Sequence, residues 1–183
     1  MTIKPKLMVI TLFVGAVTFV NAQLSNDLIL HYSFNGANAT DEVGNQDGIV
    51  NGPVPCEDRF GNANMAYQFS NNSITHSVLT FNNLTEATVS FWLKPDAGSF
   101  SGGIANPVGC GVWGMYLNLF APDGTVSSFM DGSSQNNFSS NVSSPVPTTE
   151  WFHFVTTNDG ATTRIYINGV LETQYSETFL WIN

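Results

Sequence analysis

Positive charge is what this 183-residue sequence has least of: five Lys and Arg stand against 14 Asp and Glu, a formal net charge of −9. Two of the five, Lys4 and Lys6, precede an apolar run from Leu7 to Val20 that closes on small residues, the pattern of a secretory leader cleaved after Ala22. Residues 1–22 are therefore expected to be a signal peptide and 23–183 the mature domain, secreted or displayed at the cell surface. In that domain Arg59, Lys94 and Arg164 are the whole basic complement, and the net charge is two units more negative. A surface so short of Lys and Arg repels phosphate backbones, which excludes nucleic acid as a partner. After the leader no apolar run approaches the roughly 20 residues needed to cross a bilayer, so no membrane span is expected once it is removed.

Cysteine is nearly absent as well. Cys56 and Cys110 are the only two. In an oxidising compartment they could form a bridge, contributing about 4 kcal/mol on the chain-entropy model; the other reading is two buried thiols. Neither has a His or a second Cys at metal-ligand spacing, which excludes a zinc site. A Gly-x-Ser-x-Gly elbow is missing, the three histidines are scattered, and "SGG" at Ser101 to Gly103 leads into no helix that could cradle phosphate. His153, set among aromatic residues, reads as a packed, hydrogen-bonded sheet histidine rather than a general base.

Helical periodicity is also lacking, and what replaces it is short alternating runs punctuated by Gly, Asn, Pro and Ser. In "WFHFVTTNDGATTRIYINGVLET" Trp151, His153 and Val155 alternate with Phe152 and Phe154, and Thr163, Ile165 and Ile167 with Arg164 and Tyr166. Asn158-Asp159-Gly160 and Asn168-Gly169 supply two hairpin turns. "LILHYSFNG" is expected to be a strand with Leu28, Leu30, Tyr32 and Phe34 on one face. "DGIVNG", "MAYQFS", "SVLTFNN", "ATVSFWLKP", "GVWGMYLNLF" and "GTVSSFMDG" follow, and Ser127 to Thr149 reads as a long polar loop or weak edge strands. One all-β domain, a sandwich or barrel, is the consequence.

Four stretches in order, "LILHYSFNGANATDEVGNQDGIVNG", "DRFGNANMAYQFS", "ATVSFWLKP" and the hairpin segment from Trp151, resemble the motifs of the laminin G-like, concanavalin A-like lectin/glucanase family. The resemblance runs from about Leu28 to Asn183. It implies a jelly-roll sandwich of two antiparallel sheets and a secreted, non-catalytic carbohydrate-binding module. Family members continue past the position of "FLWIN" into a further strand, so the last strand is expected to be missing and the chain to be a fragment. The family's hydrolase signature, Glu-x-Asp-x-x-Glu, does not occur. The acidic pairs that do, Asp41-Glu42 and Glu57-Asp58, are sequence neighbours that would point to opposite faces of an extended chain.

Two candidate sites emerge. Sugar rings stack on flat aromatic faces, and Trp92 shares a strand face with Ser90 and Lys94, while Tyr116 and Asn118 lie opposite Met115, Leu117 and Leu119. Trp92, Tyr116 and Asn118 are therefore the candidate carbohydrate contacts, with Trp113 and Trp151 assigned to the core. In "NATDEVGNQDG", Asp41, Asn45 and Asp47 form a candidate Ca2+ set, with glycines that let carbonyls turn inward; the other reading has Asp41 capping a turn through its own backbone. Arg59 is expected to form a structural ion pair. The expected partner is a polysaccharide or cell-surface glycan. The alternatives are a protein–protein adhesion module and an accessory domain of a polysaccharide-degrading enzyme.

Overall fold

The computed structural model describes residues 27–70, 72–76, 84–96, 104–105, 116–120, 126–129 and 149–176. The leader, Cys110, Trp113, "SVLTFNN", most of the polar segment after Ser127 and the stretch "FLWIN" lie outside the described residues. Within them the regular structure is antiparallel β throughout, and no helix is long and apolar enough to cross a membrane.

The described residues form two compact units. The first, residues up to Asp58 together with Ala63–His76, holds four three-residue strands. β1 (Ile49–Asn51) pairs with β4 (Ser73–Thr75), and β2 (Val54–Cys56) pairs with β3 (Ala66–Gln68). Leu28, Leu30 and Tyr32 alternate in burial with Ile29 and His31 as the sequence suggests. The strand expected there nevertheless does not form: a single bridge joins Tyr32 to Asp41. Two things stop it. The backbone N–H of His31 is spent on a carboxylate oxygen of Asp41 rather than on a neighbouring strand, and Phe34 adopts φ 58, which ends extended chain. That turn is pinned by Ala37, whose N–H donates to Asn64 O at 2.9 Å and whose carbonyl accepts the Tyr67 hydroxyl at 2.6 Å. The Tyr67 ring meets the Phe34 ring edge-on at 5.4 Å.

The second unit, Arg59–Asn62 with the residues from Leu84 onward, is built on a four-stranded sheet. β5 (Ala87–Leu93) lies beside β9 (Phe152–Asn158), which pairs with β10 (Thr162–Ile167), and β10 with β11 (Val170–Ser176). A three-stranded sheet holds β6 (Ile104–Ala105), β7 (Tyr116–Phe120) and β8 (Val126–Phe129). β9 is central, so its aromatic content on both faces has a simple cause. Phe152 and Phe154 are fully buried on one side, and His153 and Val155 are half-buried on the other.

The register places Phe91 against Phe154 and Ile167 beyond it, with Val89, Thr156 and Ile165 forming the next row. The Phe91 and Phe154 rings stack at 5.4 Å. Burying an aromatic of this size contributes about 2–3 kcal/mol by removal of apolar area alone. The row at the turn is polar yet closed: the Asn158 amide donates to Thr163 Oγ1 at 2.8 Å and its carbonyl oxygen accepts the Gly160 N–H at 2.7 Å. Asn168 (φ 50) and Gly169 (φ 82) give the two positive φ values that a two-residue hairpin turn demands. Asn168 then extends the ladder, its N–H reaching His153 O and its side-chain oxygen accepting the His153 N–H, both at 2.9 Å. Between Ile165 and Tyr166 the β10–β11 pairing slips by one residue: Thr173 faces Ile165 but Leu171 faces Tyr166, leaving Glu172 as a bulge.

Candidate functional site

The face of the four-stranded sheet opposite the buried phenylalanines is open. Alternation along β5 brings out Thr88, Ser90 and Trp92, and the exposure pattern continues through Lys94, exposed before a buried Pro95. β9 contributes His153, Val155 and Thr157 to that face, and β10 contributes Arg164 and Tyr166. Trp92 is 42% exposed, as the spacing of Ser90, Trp92 and Lys94 predicts.

Trp92 does not stand alone. It is the cross-strand partner of His153, and the two rings stack with centroids 5.0 Å apart and planes 18° from parallel. His153 Nε2 is hydrogen-bonded to Ser90 Oγ at 2.8 Å, which fixes the imidazole against the indole. The guanidinium carbon of Arg59 lies 4.3 Å from the Trp92 ring centroid and 4.3 Å from that of Phe60, itself 72% exposed. The guanidinium of Arg59, for which the sequence suggests an ion pair, lies against two aromatic rings. Phe60, Arg59, Trp92 and His153 thus make one continuous cluster of flat groups, with the Ser90 hydroxyl beside it. His153 is the packed, hydrogen-bonded sheet histidine that the sequence suggests, and it has a second task in bracing the indole.

Tyr116 and Asn118 sit two residues apart on β7, in register with Phe129 and Ser127. Their strand belongs to the three-stranded sheet, so the three candidate sugar contacts are divided between two sheets. Arg164, on the open face opposite Thr157, is tied to Asp159 at 2.6 Å. That hydrogen bond, together with the N–H groups of Ala161 and Thr162, holds the Asp159 carboxyl below the usual carboxylate range and raises Arg164. Trp151, assigned to the core, is half-buried.

The acidic loop has a different character. Asp41 is buried, 5% exposed, and its carboxylate accepts four backbone N–H groups. His31 and Val43 donate to Oδ1, each at 3.1 Å, and Gly44 and Gln46 donate to Oδ2 at 3.0 and 3.2 Å. Burial alone would raise the Asp41 pKa, but these four donors outweigh it and hold the group below its ordinary value. The same carboxylate, with that of Asp47, adds to burial in pushing the Tyr32 phenol up. Asp47 Oδ1 accepts the Asp41 N–H at 2.9 Å, and Asn45 is exposed. These residues do not fit a calcium ion: the amide dipoles that surround Asp41 complement an anion, and its oxygens face them rather than a common cavity. Among the described residues no group of three or more His, Cys, Asp or Glu side chains could hold a metal. Cys56 is half-buried on β2 opposite Ala66, and its candidate partner Cys110 lies outside the described residues.

Sequence reasoning missed Arg59 and Phe60 because the chain returns them to Trp92 across more than thirty residues, for which no local pattern exists. The Trp92–His153 pair was in principle accessible, since both residues fall on the outer face of adjacent predicted strands.

A protein-family model described as the concanavalin A-like lectin/glucanases superfamily (Laminin_G_3) matches residues 68–183. Among solved structures, domain 4 of AbnA, a GH43 extracellular arabinanase from Geobacillus stearothermophilus, in complex with arabinotriose, is similar in fold. The two share 20% identity with a TM-score of 0.58, over 82% of this chain and 75% of that one. No curated protein matches the sequence.

Proposed function

The chain belongs to the concanavalin A-like lectin/glucanase superfamily, and we propose that it is a secreted module that binds carbohydrate through the open face around Trp92 without cleaving it. The observation that carries this reading is the exposed aromatic cluster of that face: Phe60 is 72% exposed and Trp92 42%, the indole is held by His153 and Arg59, and the Ser90 hydroxyl lies beside it, so rigid aromatic surface for a sugar ring stands next to polar groups for its hydroxyls. Among the described residues no strand position beside Trp92 carries a carboxylate, and Asp159, on the same face, is held in its pair with Arg164, which supports binding over hydrolysis. β5, β9 and β10 contain no Asp or Glu at all, whereas glycoside cleavage needs two carboxyl groups about 5–9 Å apart. The arabinotriose complex of the similar domain favours a polysaccharide ligand, and its place in an arabinanase favours, as second reading, an accessory domain of a polysaccharide-degrading enzyme. A cell-surface adhesion module is the remaining alternative.

The test is a glycan array followed by calorimetry on the positive ligands, with reducing-end release measured alongside. Binding without release of reducing ends is the expected outcome. Release of saccharide by the purified chain, or capture of a protein partner with silence across the array, would overturn it.

A further inference from the structure

The basic residues of the described chain are not scattered. Arg59 stacks on Trp92, Lys94 follows Trp92 by two residues on the same exposed register, and Arg164 stands on the open face of β10. All three fall on one side of one sheet in a protein that is otherwise strongly acidic. Arg164 is neutralised by Asp159 and lies four residues along β9 from the His153 row, about 13 Å away at strand spacing. Arg59 and Lys94 are the charges nearest the aromatic cluster, Lys94 lying just past the end of β5, two residues and about 7 Å of extended chain from Trp92.

The arrangement of Arg59 is suited to one kind of ligand group. Its guanidinium carbon lies 4.3 Å from the ring centroids of both Trp92 and Phe60, which places a planar fork of N–H donors at the aromatic cluster, the group that binds a planar carboxylate through two parallel hydrogen bonds. From this the geometry points to a carboxylate-bearing saccharide, a uronate-containing glycan, as the ligand of the open face: the ring lies on the aromatic surface and its carboxylate meets Arg59, with Lys94 adding long-range attraction. This inference rests on the open face being the carbohydrate site. A neutral sugar would make no use of the only cations the face presents, and an acidic glycan would otherwise be repelled by the net charge of the chain.

The experiment compares uronate oligosaccharides with their carboxyl-reduced forms, which differ only in a carboxylate replaced by a hydroxymethyl group, on the intact chain by calorimetry at two salt concentrations. The acidic form is expected to bind roughly tenfold or more tightly than the reduced form, an advantage that shrinks as salt rises. Arg59→Gln should abolish the preference, Arg59→Lys should retain part of it, and Lys94→Gln, at an exposed position, should weaken the acidic ligand alone. Equal binding of acidic and reduced forms overturns the inference while leaving carbohydrate binding in place. A preference that survives both Arg59→Gln and Lys94→Gln also overturns it, as does selective binding of sulfated saccharides over uronates. Silence toward every saccharide, acidic or neutral, defeats the binding function itself.

Discussion

Trp92 on β5 and His153 on β9 face one another across the sheet, their rings 5.0 Å apart and 18° from parallel, with Ser90 holding the imidazole in place. The indole that meets solvent is thus oriented before any ligand arrives. Little conformational entropy is left to lose on binding, which is how a rigid aromatic surface gains affinity.

Trp92→Ala should therefore weaken saccharide binding by about tenfold or more, while the fold loses only about 1 kcal/mol from the stacked pair. Calorimetry with a parallel melting curve checks both. A variant that binds as tightly as the native chain would remove Trp92 from the site.

Phe154 lies at the centre of the opposite face, fully buried and stacked on Phe91. Phe154→Ala should cost about 3–5 kcal/mol, much of the stability of a typical domain. Denaturant unfolding should show the midpoint falling sharply. The equivalent change at exposed Phe60 should leave it nearly unmoved, because that ring sits over no core.

Gly48 is required by space rather than by backbone angle. A Cβ there would lie 2.6 Å from Ile74 Cγ2 and 3.0 Å from the Ala39 Cβ. Gly48→Ala should destabilise by about 1–3 kcal/mol. Trimming Ile74 to Ala should recover part of that loss, so a double-mutant cycle should give a favourable coupling; strict additivity would show that the crowding is relieved elsewhere.

The amide cage of Asp41 sets a pH dependence of known sign. Its folded pKa is depressed, so the stability it contributes is fully present above the unfolded carboxylate value of about 3.9 and is lost as pH falls through the folded value. Asp41→Ala orphans four backbone donors and should cost about 2 kcal/mol or more at neutral pH, with acid unfolding that loses its steepest part. Millimolar calcium should leave the melting temperature of the native chain unchanged; a marked stabilisation would show that the loop takes a cation through other oxygens.

The legible parts of this protein are those where one local rule dominates. Alternation in β9 and β10, closed by Asn158-Asp159-Gly160 and Asn168-Gly169, gave the hairpins and their inner and outer faces directly, and the same rule put Trp92 on the outside. The strand expected at Leu28–Phe34 failed because its burial pattern is real but its hydrogen-bonding partner is a side chain, Asp41, ten residues away. Asp41 itself was ambiguous for a physical reason. A glycine-rich acidic loop can direct carbonyls at a cation or amides at a carboxylate with the same composition, and only the backbone direction separates the two. Arg59 was beyond reach for another: a cation–π contact between distant segments leaves no periodic trace.

The slip between Ile165 and Tyr166 has an outcome for the hairpin tip. In an unbroken ladder Leu171 and Thr173 would share the inward side; with Glu172 inserted, Leu171 instead emerges next to Tyr166, 47% exposed. Pleat phase at the end of β11 is thus decided by chain length, not by hydrophobicity. Excising that single glutamate would leave Leu171 opposite Tyr166 in a regular ladder, fixing the leucine on the outer side without the bulge, while leaving every other strand as it is.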